Sequence, residues 1–305
     1  MKDLESEFNS GWHIYDIFGT GNQEADNHVS YGSGFVTQHD KFAVAYTANE
    51  LADNVAEFIS PKTNDLALWE RFIFCSTNQW DFNRAKRDVR KLSMRCLYRP
   101  FDYRYTVFDR NICTIIRKRI TFQFYHKNIG LLTTRRVTRL PYNNIFVSNT
   151  CTEYKVASHD RNTIVFPLWI YSDEEACHEI LGEGRRLNLN PTFLRKIALE
   201  LNLEQKNPDG VPTTLIPEDI FNYIYAIFHS PNYRTRYAEF LKIDFPRLPL
   251  TNSLDLFRAL ARLGGELTAV HLLESPAVNW YITDLVGDPH SQIETPTWTD
   301  ETVWV

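Results

Sequence analysis

Arg95-Cys96-Leu97-Tyr98-Arg99-Pro100-Phe101-Asp102-Tyr103-Arg104-Tyr105-Thr106-Val107-Phe108 is the stretch on which the fold class turns. Residues 95–98 and 103–108 read as strands, the second dense in aromatic and β-branched side chains. Pro100 fixes the backbone between them, so the stretch predicts a strand–turn–strand corner, braced by an Arg–Asp102 ion pair from Arg99 or Arg104. Further β runs follow at 129–134, 145–148 and 164–171. Between them, 117–125 reads as a short basic helix, although its β-branched residues leave an extended form open. Upstream, residues 1–40 are polar and carry Gly11, Gly19, Gly21, Gly32 and Gly34, which reads as loops and short strands. Residues 41–46 have strand character. Thr47 then caps a helix whose third position is Glu50, with Leu51, Val55, Phe58 and Ile59 at helical spacing. A second helix is expected at 82–92, capped by Asp81.

After residue 172 the pattern becomes helical. Asn190 and Pro191 open a helix at 191–201. Another spans 217–229, with Glu218 and Asp219 in its positive first turn. Ser230-Pro231 breaks it and 232–241 restarts it. Pro246 and Pro249 force 243–250 to be extended. Residues 254–273 form a long amphipathic helix, with Leu256, Leu260, Leu263, Leu267, Val270 and Leu273 near one stripe. Phe221, Tyr225 and Phe228 read as core packing on their helix. The tail from Ser275 is polar, with Trp280, Trp298 and Trp304 as candidate anchors. The layout is α+β: a mixed β-rich region over 1–172 packed with a helical region and polar tail over 173–305.

The chain has 305 residues, 43% hydrophobic, which excludes a wholly disordered polymer. No apolar run approaches the roughly 18 residues of a membrane helix, and residues 1–7 lack the apolar core of a signal peptide. Cys75, Cys96, Cys113, Cys151 and Cys177 are scattered and odd in number, which excludes zinc-ribbon spacing and suits a reducing cytoplasm. Net charge is −5, yet residues 84–139 hold 16 Lys and Arg against 3 acids, leaving the remainder at −18. A basic middle between acidic flanks suits a polyanion site. It equally suits a patch that docks on an acidic protein.

Gly19-Thr20-Gly21 and Gly32-Ser33-Gly34 continue into neither a dinucleotide fingerprint nor a P-loop, so they read as loop glycines. Ser158-His159-Asp160 are chain neighbours and cannot converge as a triad does. Cys177-His178-Glu179 lacks the second His of a zinc helix. No Asp/Asn-Pro-Pro-aromatic tetrapeptide, the motif that presents an exocyclic amine for methyl transfer, occurs. The sequence therefore carries no self-contained active site, and no catalytic or metal-ligating residue is assigned.

Several blocks together resemble one family. They are residues 31–44 (Tyr31-Gly32-Ser33-Gly34-Phe35-Val36-Thr37-Gln38-His39-Asp40-Lys41-Phe42-Ala43-Val44), Leu97-Tyr98-Arg99-Pro100-Phe101-Asp102-Tyr103-Arg104, Asn128-Ile129-Gly130-Leu131, Phe166-Pro167-Leu168-Trp169-Ile170-Tyr171, and 217–249. In this order they are similar to the C-terminal target-recognition region of Type ISP single-polypeptide restriction–modification enzymes. Gln38-His39 stands where that family has Asn-Arg. The resemblance implies a sequence-specific recognition module for double-stranded DNA. It would position a target adenine for an N6-methyltransferase domain on the same or a partner chain. It implies no enzyme activity in this chain alone and no cofactor here: S-adenosylmethionine, ATP and Mg would bind in domains absent from it. It also implies a cytoplasmic protein with no membrane partner. Thr37 and Asp40 match the family motif and are carried over as DNA-binding candidates. The charge map adds Arg117, Lys118, Arg119, Lys127, Arg135, Arg136 and Arg139, since recognition needs cations for phosphate and guanidinium groups for base edges. Adjacent Arg135 and Arg136 follow a strand, so at least one is expected to point outward. The alternative is a protein-interaction scaffold whose basic region docks on an acidic partner.

Overall fold

Phe101 adopts φ 62°, and with Pro100 before it the chain reverses as the sequence predicts. The computed structural model describes residues 2–19, 30–59, 89–138, 141–171, 184–288, 297–299 and 301–304. The first half of the described chain runs α1 (Lys2–Ser10), β1 (Trp12–His13), α2 (Ile14–Ile17), β2 (Gly32–Ser33), α3 (Asp40–Ala43), α4 (Ala48–Ile59), α5 (Val89–Leu92), β3 (Met94–Arg99), β4 (Asp102–Thr106) and α6 (Lys118–Thr121). A 3-10 turn (Phe122–Phe124) follows, then β5 (Gly130–Thr133), β6 (Phe146–Ser148), β7 (Cys151–Thr152), β8 (Ile164–Pro167), β9 (Trp169–Tyr171) and β10 (Arg185–Leu187). The helical part holds α7 (Pro191–Glu200), α8 (Pro217–His229), α9 (Pro231–Arg236), α10 (Ala238–Leu241), strand β11 (Arg247–Leu248) and α11 (Leu254–His271). A final ladder pairs β12 (Thr297–Trp298) with β13 (Val303–Trp304). The fold is α+β.

Two sheets form the centre. One has four antiparallel strands in the order β2-β8-β5-β6. The other is β4-β3-β7, an antiparallel hairpin with β7 added in parallel, Cys96 opposite Cys151. Their facing sides bury Phe35, Cys96, Leu97, Leu132 and Val165 in one apolar cluster. Cys96, Cys113 and Cys151 are buried free thiols whose pKa burial raises, which makes them inert packing groups. The largest cluster draws on both sides of residue 172: Leu131, Val147 and Phe166 from the sheet meet Phe193, Ile224, Phe228 and Phe257 from the helices.

The helix caps are legible in the sequence. Asn190 accepts from the Thr192 N–H, Ser230 from Tyr233 and Ser253 from Leu256. Glu50 N–H donates to Thr47 Oγ1 at 3.0 Å, while the Glu50 carboxylate reaches the N–H of Tyr46. Phe221, Tyr225 and Phe228 are core residues, as expected.

Several expectations are corrected. Residues 2–10 form a helix, because Phe8 is buried against Phe240 and Tyr237 and Glu7 pairs with Arg236 at 2.5 Å. Residues 41–46 do not form a strand; the chain makes the short helix α3, and only Ala45 bridges to Tyr105. The run 164–171 is divided between β8 and β9 at Leu168, whose N–H donates to Ile129 O. On α11 the leucine stripe is only partly buried: Leu260 and Leu267 pack against the core, Leu256, Leu263 and Leu273 are exposed, and the buried positions are Phe257, Ala261, Gly264 and Thr268. A Cβ on Gly264 would lie 1.9 Å from Asn222 O, so the two helices cross too closely for leucine there. Trp280 is 78% exposed and anchors nothing within the described chain. The second expected helix is described only over α5; residues 82–88 and the side chains of Phe58 and Ile59 lie outside the described residues. Among the described residues, no helix is long and apolar enough to cross a membrane.

Candidate nucleic-acid interface

The basic segment 117–119 forms the start of α6. Arg117 takes φ 47° and its carbonyl accepts from the N–H groups of Ile120 and Thr121. Ile116, Ile120, Phe122 and Phe124 are buried, which leaves Arg117, Lys118 and Arg119 exposed on the outer side of a single turn. Two buried amides bolt this turn to β9. Gln123 donates to Arg119 O at 3.0 Å and accepts from the Tyr171 N–H at 2.7 Å. Asn128 donates to Gln123 O and Trp169 O and accepts from the N–H groups of Ile129 and Trp169. Every polar atom of the Asn128 amide is thereby engaged, so the connection is rigid.

The bolt gathers aromatic rings beside the cations. Tyr171 hydroxyl donates to Lys127 O at 2.7 Å, and its ring stacks on His126 with centroids 4.3 Å apart. The Arg185 guanidinium lies 4.1 Å over the Trp169 ring, and Arg185 pairs with Tyr171 across the β9–β10 ladder. Tyr125 is 43% exposed beside them. Arg117, Lys118, Arg119 and Lys127 are thus exposed on the segment fixed to β9, whose Trp169 meets Arg185 and whose Tyr171 meets His126. Cations suit phosphate, and ring faces suit bases. Sequence reading did not single out Trp169, Tyr171 or Arg185 as site candidates, because the β9–β10 pairing that brings Arg185 beside these rings is set by the tertiary structure.

Arg135 and Arg136 lie elsewhere. Lys127 precedes β5 and these arginines follow it, so the basic segment is divided between the two ends of one strand. Both are exposed. Arg135 pairs with Asp244 at 3.3 Å, whereas Arg136 offers its carbonyl to Thr134 Oγ1. Arg139 lies outside the described residues.

Thr37 and Asp40 belong to a third location. Thr37 is fully buried and its hydroxyl donates to Asp40. The second Asp40 oxygen accepts from Tyr98 hydroxyl at 2.6 Å and lies 3.5 Å from Arg99 Nη2. Gln38, exposed, adopts φ 62°, a left-handed conformation that asparagine tolerates better, and His39 is 4% exposed. Position 39 is therefore an interior position here.

The corner ion pair is made by Arg104, which holds both Asp102 oxygens through Nε at 3.0 Å and Nη2 at 2.8 Å. Arg99 does not pair with Asp102; it donates to Glu153 at 2.7 Å. The turn points the two arginines to different partners, and Tyr98 lies between them, 3.9 Å from Arg99 and 4.4 Å from Arg104. Burial pushes the Glu153 carboxyl up to about 7, against the pull of Arg99 and of the Lys155 N–H.

Thr20 and Gly21 lie outside the described residues, and the Gly32–Gly34 pair makes no phosphate cradle. A Cβ on Gly32 would lie 2.7 Å from Ile120, and one on Gly34 2.4 Å from Thr152 O, so both are filled by the protein's own packing. No group of three His, Cys, Asp or Glu side chains is placed to hold a metal ion among the described residues.

Residues 29–305 match the Type ISP C-terminal specificity domain. No curated protein matches the chain. Three solved structures share its fold. The DrdV–DNA complex is 20% identical with TM-score 0.59, covering 87% of this chain and 26% of that one. A nuclease-deletion mutant of the Type ISP restriction–modification enzyme LlaGI, in complex with a DNA substrate mimic, is 20% identical with TM-score 0.59, covering 91% and 24%. The ATP-dependent Type ISP enzyme LlaBIII bound to DNA is 16% identical with TM-score 0.52, covering 85% and 17%. The chain thus spans about a quarter or less of the length of these proteins.

Proposed function

This chain belongs to the Type ISP C-terminal specificity domain family, and from that premise we propose that it reads a DNA sequence and positions a target adenine for a methyltransferase domain it does not itself contain. The observation that supports this reading is that the exposed cations Arg117, Lys118, Arg119 and Lys127 sit on the segment bolted to β9, where His126 stacks on Tyr171 and Arg185 on Trp169. The cations would hold the duplex by its phosphates, and an arginine fork would discriminate guanine edges. Arg136 would extend the phosphate track at the other end of β5. Thr37 acts beneath the surface, fixing the Asp40 carboxylate; Asp40 in turn orients Tyr98 and Arg99. Arg139 remains a candidate from sequence alone. The chain does not cleave or methylate DNA by itself. S-adenosylmethionine, ATP and Mg belong to other domains of the complete enzyme.

Selection of bound duplexes from a random pool tests the proposal. One enriched sequence is expected, bound more tightly than a scrambled duplex, with affinity falling steeply as salt rises. No enrichment and no duplex preference would instead assign the basic face to docking on an acidic protein.

A further inference from the structure

A cavity of about 420 Å³ opens between the β3–β4 turn, the segment leading into β6 and the loop after β7. Its size falls in the range of small-ligand sites, roughly 300–1,000 Å³. Arg99, Lys155 and His159 line it, and among the described residues no Asp or Glu does. A neighbouring cavity of about 320 Å³ shares Arg99 and Lys155 and includes Asp40 and Glu153, while Asp160 is held by Thr138 and Ser158 of the first cavity's own wall.

The two cations differ. Arg99 is already paired with Glu153. Lys155 is half-buried, its N–H held by Glu153 at 2.6 Å and its ammonium 4.7 Å from the Tyr154 ring. Among the described residues, no carboxylate lies within 4.0 Å of that ammonium. The acids nearest to it along the chain are engaged: Glu153 accepts from Arg99 at 2.7 Å and from the Lys155 N–H, and Asp160 accepts from Ser158 at 2.6 Å and from Thr138 and lies 3.8 Å from Arg161. A half-buried ammonium without a counter-ion is poised for a ligand anion.

The remaining walls are of a different kind. Pro100 and Phe146 are flat and apolar, and the exposed Asn143 amide carries both a donor and an acceptor. The Asn144 amide is engaged with Ala157 O at 2.6 Å and braces the floor. Thr138 places the opening two residues beyond Arg136. A cation, an apolar wall and a free amide in one cavity match a phosphate joined to a planar heterocycle. We infer that this cavity binds one nucleotide, its phosphate on Lys155 and Arg99, its ring against Phe146 and Pro100, and its base edge on Asn143. A strand of bound DNA and a free mononucleotide both present that chemistry. The first source rests on the DNA-binding reading above; the second does not.

The test uses the full chain with deoxyadenosine 5′-monophosphate followed by calorimetry, inorganic phosphate as competitor, and duplex DNA at several salt concentrations. Saturable one-to-one nucleotide binding is expected, weakened roughly tenfold in Lys155→Gln, weakened also in Asn143→Ala, and unchanged in Lys196→Gln, whose ammonium pairs with Glu200 on α7. Melting curves matching the parent protein certify each variant as folded. If the nucleotide comes from DNA, Lys155→Gln also lowers the salt slope of duplex binding by about one unit; an unchanged slope with mononucleotide binding lost assigns the site to free nucleotides. Nucleotide binding that is absent, or equal in the parent and Lys155→Gln, overturns the site whatever the duplex result. Nucleotide binding at Lys155 by a chain that ignores duplexes leaves the site standing and removes the DNA interface instead.

Discussion

Tyr98 donates its hydroxyl proton to Asp40 at 2.6 Å, joining two sequence blocks 58 residues apart. Asp40 also accepts from Thr37, so one carboxylate orders the motif around residue 37 and the corner at residue 100 together. Asp40→Asn keeps the shape but weakens both acceptors. It is expected to lower stability by about 1–2 kcal/mol, with Tyr98→Phe lowering it less. Urea melts of the two single variants and the double variant check the coupling. Strict additivity would break the link between the blocks.

Asp102 and Arg104 form a two-pronged pair that is partly exposed, side chains 30% and 22% accessible. Asp102→Ala is expected to cost about 1–2 kcal/mol, below the roughly 3–5 kcal/mol of a fully buried pair. DNA affinity per folded molecule stays at the parent value. A variant that melts normally yet has lost DNA binding would place this corner in the interface.

Glu153 and His229 titrate in opposite senses. The Glu153 carboxyl is raised to about 7 from its ordinary 4.5, so the folded state holds a proton that the unfolded chain has released between those values. Its contribution is full below pH 4.5 and is lost as pH rises through 7, by at most about 3 kcal/mol. His229 is pushed down to about 3 by burial and by Arg234, so its contribution is full above pH 6.5 and is lost as pH falls toward 3. The two slopes oppose each other between pH 4.5 and 6.5. Glu153→Gln should therefore stabilise the protein at pH 8 relative to pH 5 and expose the histidine slope. Denaturant titrations across that range measure it, and an unaltered pH profile would refute the assignment.

Gly264 marks the closest approach of α11 to α8. Gly264→Ala sets a Cβ 1.9 Å from Asn222 O and must push the helices apart, an overpacking cost of about 1–3 kcal/mol or more. Gly265→Ala meets only the Asn222 amide nitrogen at 3.1 Å and is expected to be tolerated, helped by alanine's helix propensity. Thermal melts of the pair separate packing from propensity.

Arg135 and Arg136 should behave differently on DNA. Arg135 is engaged by Asp244, whereas Arg136 offers its guanidinium outward. Arg136→Ala is expected to reduce the salt slope of binding by about one unit and to leave the ratio between selected and scrambled duplexes intact. Arg135→Ala should change neither strongly. Tyr171→Ala should weaken single-stranded and duplex binding while preserving the salt slope, because a ring face contributes without releasing counter-ions. An Arg136→Ala slope equal to the parent's would remove that arginine from the interface, and an unchanged affinity in Tyr171→Ala would remove the tyrosine.

The sequence by itself determined whatever depends on neighbouring residues. Pro100 set the corner, Asn190, Ser230 and the Pro residues after them set helix starts, and short runs of aliphatic, aromatic and β-branched residues marked β3 to β6. The density of arginine and lysine between residues 84 and 139 is legible for the same local reason and is the ground for the polyanion site proposed above. Tertiary structure alone decided the partners. Arg99 and Arg104 are equivalent candidates for Asp102 on paper, and the turn at φ 62° sends one to Glu153 instead. The leucines of α11 have the stronger apolar period, yet the buried face is the one with Gly264, because helix spacing against Asn222 outweighs hydrophobicity at a close crossing. Lys127 and Arg135 are eight residues apart in one basic run, and a single strand carries them to opposite ends. Side-chain burial, distance and pairing depend on segments far apart in the chain, and no local pattern encodes them.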